Sequence, residues 1–498
     1  MELAYRPTAV IPTGVPGLDS ILSGGYAENR IHLIEGQPGS GKTSMALQFL
    51  MDGARQGELG LYITLSETAA ELYAVAGSHG WTFDGIEIFE LMPPELSLDP
   101  KAQQTVLYSS ELELGETVQM VMAEVERVKP KRLVFDSLSE IRLLSQGSLR
   151  YRRQVLALKH FFLKQGCTVL MLDDLTSEQD DLNLHSISHG VLRLEQLAAL
   201  YGAERRRLRC IKMRGVKFRG GYHDFTIERG GLHVYPRLVA ADHHVEYATA
   251  AVGSGVPELD SLVGGGLDRG TSTLIIGPSG SGKSSLALQF VHAALKRGEP
   301  ALALVFDEIR SVFLRRAKGM GFELQPFIDQ GLLHLRQIDP AELTAGELSA
   351  AVRDAVERHG AKVVVLDSLS GYLNAMPEEH FMMLQMHEML SYLNQQGIVT
   401  ILVLAQHGMV GQMASPVDLT YLSDAVIMLR FFEAGGRLRR ALSVLKKRTG
   451  HHEETIREYR ISGHGVSVGQ ALTEFQGVLT GVPTYTGTEA NLLNEPRE

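Results

Sequence analysis

The sequence predicts an α/β protein of two tandem domains, each a mostly parallel sheet with helices on both faces. Three observations predict it. Continuous runs of about four to seven β-branched residues and leucines alternate with longer helical stretches, the pattern of strands buried on both sides. The succession of runs occurs twice in the same order, the mark of a duplication. In each half one run leads through a glycine-rich turn directly into a helix.

Taken in order, the first half opens with Thr13-Gly14-Val15-Pro16-Gly17-Leu18-Asp19-Ser20, answered in the second by Ser254-Gly255-Val256-Pro257-Glu258-Leu259-Asp260-Ser261. Glycine turns follow at Gly24-Gly25 and at Gly264-Gly265-Gly266, then the runs Ile31-His32-Leu33-Ile34-Glu35 and Thr273-Leu274-Ile275-Ile276. A short strand ending in an acid comes next, Leu61 to Glu67 in one half and Ala303 to Glu308 in the other. The runs Arg132-Leu133-Val134-Phe135-Asp136 and Val363-Val364-Val365-Leu366-Asp367 match, as do Cys167 to Leu172 and Val399 to Leu404. The expected divisions are a first domain over 1–245, a second over 246–483 and a loose polar tail over 484–498.

Composition bounds the function. A chain of 498 residues with 44% hydrophobic and 21% charged residues has the material of ordinary soluble domains. No apolar run reaches the roughly 18 residues of a membrane span, and Met1 to Arg6 lacks the basic-then-apolar design of a secretory leader. Two cysteines, Cys167 and Cys210, are too few for a disulfide framework or a cysteine-based zinc site. A cytoplasmic protein is expected, with no membrane partner. The net charge of −10 gives no global attraction to nucleic acid and makes that partner an unfavoured one.

The glycine-rich turns carry the chemistry. Gly36-Gln37-Pro38-Gly39-Ser40-Gly41-Lys42-Thr43 and Gly277-Pro278-Ser279-Gly280-Ser281-Gly282-Lys283-Ser284 both fit G-x-x-x-x-G-K-[ST], and Ser44 and Ser285 follow. The glycines let backbone N–H groups converge on phosphate oxygens, the lysine reaches the terminal phosphates, and the hydroxyl of Thr43 or Ser284 holds Mg²⁺. The candidate nucleotide contacts are therefore Gly36, Gly39, Ser40, Gly41, Lys42, Thr43 and Ser44, with Gly277, Gly280, Ser281, Gly282, Lys283, Ser284 and Ser285. Asp136 and Asp367 end apolar strands where a carboxylate would orient Mg²⁺ or its water. Glu67, Asp307 and Glu308 are the candidate bases that would activate water or a hydroxyl.

Lys212 and Arg214, like Lys446 and Arg448, alternate and so project from one strand face. Such pairs could reach a phosphate across a subunit boundary, or form a solvated basic edge or a nucleic-acid surface. Asp173-Asp174 and Gln406 end corresponding strands, to sense phosphate or to cap. The adjacent pairs His243-His244 and His451-His452 face opposite ways on a strand and make poor metal sites, and Trp81 reads as packing.

These residues together resemble the KaiC family of circadian-clock ATPases over almost the whole chain. The marks are the paired P-loops, the T-G-V-P-G-L-D-type openings, Ser66-Glu67 and Asp307-Glu308, Lys212-Met213-Arg214-Gly215, and Ile456 to Ser462. The resemblance implies two tandem RecA-like P-loop NTPase domains in a two-tiered homohexamer, with ATP and Mg²⁺ at subunit interfaces. The first half would be a slow ATPase and the second a serine/threonine autokinase, acting as a signalling or timing hub. It leaves room for a KaiB-like or other signalling protein as partner. Lys212, Arg214, Lys446 and Arg448 would act in trans.

The chain also departs from that family. Paired glutamates at the strand ends become Ser66-Glu67 and Asp307-Glu308, so one carboxylate remains in the first half and a shorter one stands where the kinase base would be. The adjacent Ser-Thr phosphosite aligns with Thr420-Tyr421, leaving Thr420 as the phosphosite candidate and no two-site cycle. The tail is short. Two readings of other classes stand beside this one. A DNA-acting RecA-like motor would use the run Arg205 to Arg209, and a nucleotide-gated scaffold would turn over little.

Overall fold

The computed structural model describes residues 9–91, 110–145, 147–175, 182–198, 202–375, 379–406, 420–480 and 483–487. Two nine-stranded sheets dominate it, one in each half. The first comprises β1 (Ile31–Gly36), β2 (Gly60–Thr64), β3 (Ile86–Glu90), β4 (Arg132–Asp136), β5 (Thr168–Asp173), β6 (Gly190–Leu197), β7 (Arg205–Met213), β8 (His223–Glu228) and β9 (Gly231–Tyr235). The second comprises β10 (Ser272–Gly277), β11 (Ala301–Val305), β12 (Leu333–Gln337), β13 (Val363–Asp367), β14 (Val399–Ala405), β15 (Ala425–Ala434), β16 (Arg437–Lys447), β17 (Arg457–Ser462) and β18 (Gly465–Ala471).

The strand order is the same in both sheets. The first runs β3-β2-β4-β5-β1-β6-β7-β8-β9, and the second β12-β11-β13-β14-β10-β15-β16-β17-β18. Six strands are parallel and the last three extend the sheet antiparallel. Strands β1, β2, β4 and β5 are buried at every position, as their unbroken apolar runs require; so are β10, β11 and β13. Each sheet carries a separate apolar cluster on either face. The expected fold, two tandem RecA-like domains, is what the chain adopts.

The divisions differ in detail. The first compact unit ends at Arg237 and the second begins at Leu238, before the boundary expected after residue 245. Leu238 and Ala240 are buried in a second-unit cluster with Met389, Tyr392 and Leu393. The Ala240 N–H donates to the Glu388 carboxylate at 3.2 Å, and the Val245 N–H to the Gln395 carbonyl at 3.3 Å. The linker thus finds its apolar and polar partners in the second unit. The expected loose tail is also ordered at its start: Thr484–Tyr485 pairs antiparallel with Phe475–Gln476, and the Tyr485 ring lies 5.0 Å from that of Phe475. Residues 488–498 lie outside the described residues.

Among the described residues no helix is long and apolar enough to cross a membrane. Trp81 packs on the first-half core with its ring 4.4 Å from that of His79, as the packing reading expects.

Candidate active sites

Parallel sheets of this kind bind ligands outside the carboxyl ends of their strands, where neighbouring connections diverge to opposite faces. Here β1 lies between β5 and β6, and β10 between β14 and β15. Each enters its P-loop and continues as a helix, α1 (Lys42–Arg55) or α2 (Lys283–Lys296). Gly41 and Gly282 precede those helices with φ of 100° and 98°, left-handed geometry that a side chain would strain. Space forbids one too: a Cβ at Gly41 would meet Ile227 Cδ1 at 2.7 Å, and one at Gly282 would meet Ile461 Cδ1 at 2.5 Å. No side chain caps either helix N-terminus. Ser40 is wholly buried, and its Oγ has no partner within the protein. A glycine-built cradle of this shape, with an uncapped helix start and an orphan hydroxyl, fits a polyphosphate. Ser44 faces elsewhere, its Oγ lying 3.1 Å from His79 Nε2.

The lysines differ in company. Lys42 is buried and donates to the carbonyls of Gly36 at 2.8 Å and Gln37 at 3.1 Å. It also pairs with Asp174 Oδ1 at 2.9 Å. Asp174 is backed by Ser137 and Ser139, whose hydroxyls each lie 3.4 Å from its Oδ2. Lys283 donates to the Pro278 carbonyl at 2.8 Å; burial holds its ammonium below the ordinary lysine range, and Asp367 pulls the other way.

Register places the acids. Asp136 sits beside Thr64 and Asp367 beside Val305, each at the end of its strand. In the first half Tyr62 stands between the P-loop and the acid: its hydroxyl interacts with Thr43 and donates to Asp136 Oδ2. Burial pushes the Asp136 carboxyl up to about 7, the Tyr62 bond resisting and the charges of Glu67 and Asp174 adding to the rise. In the second half Ala303 occupies the Tyr62 place, and Ser284 donates directly to Asp367 Oδ1 at 2.9 Å. Asp367 is likewise raised by burial, with Ser284 and Arg316 opposing.

The candidate bases separate in the same way. Glu67 is half-buried, its Oε2 is enclosed without a partner, and burial followed by the charges of Glu71 and Asp174 raises its carboxyl. Glu308 is gripped by Arg316 through Nε at 3.2 Å and Nη2 at 2.7 Å. Asp307 accepts a hydrogen bond from the Ser368 hydroxyl. A cavity of about 610 Å³ lies before these groups, lined by Lys283, Ser284, Asp307, Arg316, Ser368 and Arg440 among others.

The basic pairs bond backbone carbonyls just before β6 and β15. Lys212 Nζ donates to the carbonyls of His185 and, at 2.8 Å, Ser188; Arg214 donates to that of Ser186 at 2.8 Å. Lys446 donates to the carbonyls of Thr420 and Ser423, both at 2.8 Å, and Arg448 to that of Tyr421 at 2.8 Å. Each pair therefore ties down the segment entering β6 or β15. Thr420 lies in the exposed turn at that entrance. Further along β7, Arg207 pairs with Glu195 at 2.9 Å and lies over the Tyr222 ring at 4.1 Å.

Sequence reading singled out neither Tyr62, Ser368, Arg316 nor Arg440, and left Asp174 undecided between sensing and capping. Their signal is positional only: each occupies the place where strand register or helix phase brings it to the strand ends. Among the described residues no group of three or more histidines, cysteines or acids is arranged to hold a metal ion. Mg²⁺ bound with a nucleotide takes one or two protein oxygens together with substrate phosphates. Thr43 with Asp136, and Ser284 with Asp367, are the oxygen donors the two sites provide.

Comparison with known proteins places both halves in one family. The family described as "ATPase: KaiC" matches residues 11–239 and again 252–473. The circadian clock protein KaiC3 of Synechocystis sp. (strain ATCC 27184 / PCC 6803 / Kazusa) is 27% identical over 487 residues, covering 96% of this chain and 95% of its own. The circadian clock oscillator protein KaiC of Parathermosynechococcus lividus is 26% identical over 492 residues, covering 95% and 87% respectively. With one such domain matched in each half, the chain belongs to the KaiC ATPase family.

Proposed function

We propose that this KaiC-family ATPase hydrolyses ATP in its first half and slowly phosphorylates its own Thr420 in its second, working as a homohexameric signalling or timing hub. One observation carries the reading. Glu67 keeps a buried carboxylate oxygen without a partner, at the same strand ends as Lys42 and Asp136, whereas Glu308 and Asp307 are both engaged. A base must be able to take a proton from water, and of these three acids Glu67 alone has a buried carboxylate oxygen with no partner among the described residues. Phosphoryl transfer to a hydroxyl depends mainly on positioning and charge neutralisation, so a modest base suffices for a slow second-half reaction.

Mg²⁺ would be held by Thr43 and Asp136, and by Ser284 and Asp367, and would supply neutralisation of phosphate charge. Lys212, Arg214, Lys446 and Arg448 would reach the nucleotide of a neighbouring subunit, a role that rests on the family resemblance. The timing role, and a KaiB-like or other signalling protein as partner, rest on likeness to proteins named for the circadian clock.

The test is incubation with Mg²⁺ and γ-labelled ATP, followed by phosphate release, phosphopeptide mapping and sizing. Hydrolysis, a nucleotide-dependent hexamer and label on Thr420 that Thr420→Ala removes are expected. A chain that stays monomeric in saturating ATP and releases no phosphate overturns the reading. Label found only outside residues 415–425 overturns its second half alone.

A further inference from the structure

The first-half P-loop lysine is already held by an anion of the protein, Asp174 just beyond β5. The Lys42 ammonium has three hydrogens to donate, and all three have acceptors: the carbonyls of Gly36 and Gln37, and the Asp174 carboxylate. A phosphate oxygen can bond Lys42 only by displacing one of these. The carboxylate is the like-for-like competitor, a planar anion holding the same cation by a charge-assisted bond. It is also held in place from behind: Ser139 Oγ accepts from the Asp174 N–H at 3.2 Å, and Ser137 donates to its far oxygen at 3.4 Å, while the one Ser139 hydroxyl hydrogen is shared between that oxygen at 3.4 Å and Asp173 Oδ1 at 3.3 Å. Little conformational freedom is left for Asp174 to lose when it binds Lys42.

Among the described residues the second half has no such arrangement. Strands β5 and β14 correspond: Glu35 pairs with Asp173 and its counterpart Ile276 with Leu404, so the residue that matches Asp174 is Ala405, and the N–H of each donates to the matching serine, Ser139 at 3.2 Å and Ser370 at 3.1 Å. Lys283 is bonded to the Pro278 carbonyl. The serine that matches Ser137 is Ser368, and it donates to Asp307, an acid on another strand end. Each half thus keeps a third carboxylate beside the serine after its strand-end aspartate. Only in the first does that carboxylate hold the P-loop lysine.

We propose that Asp174 is an internal competitor for phosphate at Lys42, making the first half the weaker of the two nucleotide sites and the quicker to release what it binds. The proposal rests on the reading that both P-loops bind ATP. Removing the carboxylate charge frees one Lys42 hydrogen and removes repulsion between Asp174 and the terminal phosphate. A tightening of about tenfold lies well within Coulomb interaction at short range and an effective dielectric near 20.

The experiment measures Mg²⁺-ATP binding by equilibrium dialysis to the full chain. In a Lys283→Ala background, which leaves the first half as the binding site, Asp174→Asn should lower the Kd about tenfold. In a Lys42→Ala background, Ala405→Asp, which puts a carboxylate at the matching place in the second-half cavity, should raise the Kd of the second half several-fold; this second variant keeps the test open should Asp174→Asn misfold. An unchanged or higher Kd in Asp174→Asn, with an unaltered thermal transition, overturns the proposal while leaving ATP binding intact. Absence of any ATP binding in Lys283→Ala, with or without Asp174→Asn, overturns the first-half reading and the proposal with it.

Discussion

The two halves share nine strands in one order, two glycine cradles and two strand-end aspartates, yet they spend their charges differently. In the first, Tyr62 reaches Asp136, Asp174 holds Lys42, and one Glu67 carboxylate oxygen is buried with no partner among the described residues. In the second, Ser284 reaches Asp367 directly, Ala405 takes the place of Asp174, and both candidate bases are tied, Glu308 to Arg316 and Asp307 to Ser368. The contrast extends below the site. Arg132, 1% exposed at the start of β4, bonds Asp52, Glu58 and the carbonyls of Pro12 and Phe49, where β13 begins with Val363. A duplicated fold fixes where groups meet but leaves their chemistry free to diverge, because the scaffold rests on apolar strands that both halves retain.

The largest effect should come from the bases. Glu67→Gln is expected to lower phosphate release by the first half about 10²–10⁴-fold, the usual range for loss of a general base. Glu308→Gln should change total release little. Equal losses from the two, measured in steady state, would erase the asymmetry.

Next is Arg132. Arg132→Met should destabilise the first unit by roughly 2–3 kcal/mol, below the 3–5 typical of a broken buried pair because Asp52 and Glu58 keep some solvent. Calorimetry should show one transition lowered and the other unmoved. A joint shift would mean that the units do not unfold separately.

A smaller change is expected from Asp307→Glu. The Asp307 carboxylate packs where a Cβ on Gly371 would stand, so a longer side chain must extend into the cavity. Label on Thr420 should then appear faster, by about tenfold, given that about 1 Å of misplacement can cost on the order of 10²-fold. No change in the labelling rate would remove Asp307 from the reaction.

The smallest concerns pH. Asp136 has its folded pKa raised to about 7 from 3.8, so the folded state binds the proton more tightly than the unfolded chain does. The stability this gives at pH 6 is lost as pH rises through 7, about 1 kcal/mol by pH 8. The thermal midpoint of Asp136→Asn relative to the parent, without nucleotide, should therefore climb over that interval. A flat difference would place the charged carboxylate in a more polar setting than its burial indicates.

Much of this was legible in the sequence. The apolar runs that mark β1, β4 and β5 can only be strands covered on both faces, and the glycines at 41 and 282 announce turns that a side chain would block. Asp136 and Asp367 could be placed because each ends such a run. The partners of these groups were not legible. Lys42 meets Asp174 only because β1 pairs with β5, and Glu308 meets Arg316 only because the Arg310–Gly319 helix folds back on its strand. Arg132 was hidden for another reason: a charge at the head of an apolar run reads as a strand boundary, not as a buried hub.

The outer strands carry one more consequence, a matter of parity. Along β7, Arg205, Arg207 and Arg209 oppose Leu197, Glu195 and Arg193, so odd-numbered side chains share a face with Val191. A bulge after Cys210 inserts Ile211, and Lys212 opposes Val191 instead. Odd and even residues are thereby spliced into one cationic row. In β16 the same slip admits Leu445, and Lys446 opposes Val426. Because side chains alternate with a period of two, a length change of one residue between Arg209 and Lys212 would send either the arginines or the lysine to the opposite face. Gains and losses there are tolerable only in pairs, a constraint on how such duplicated chains can drift that acts on counting rather than on any residue's identity.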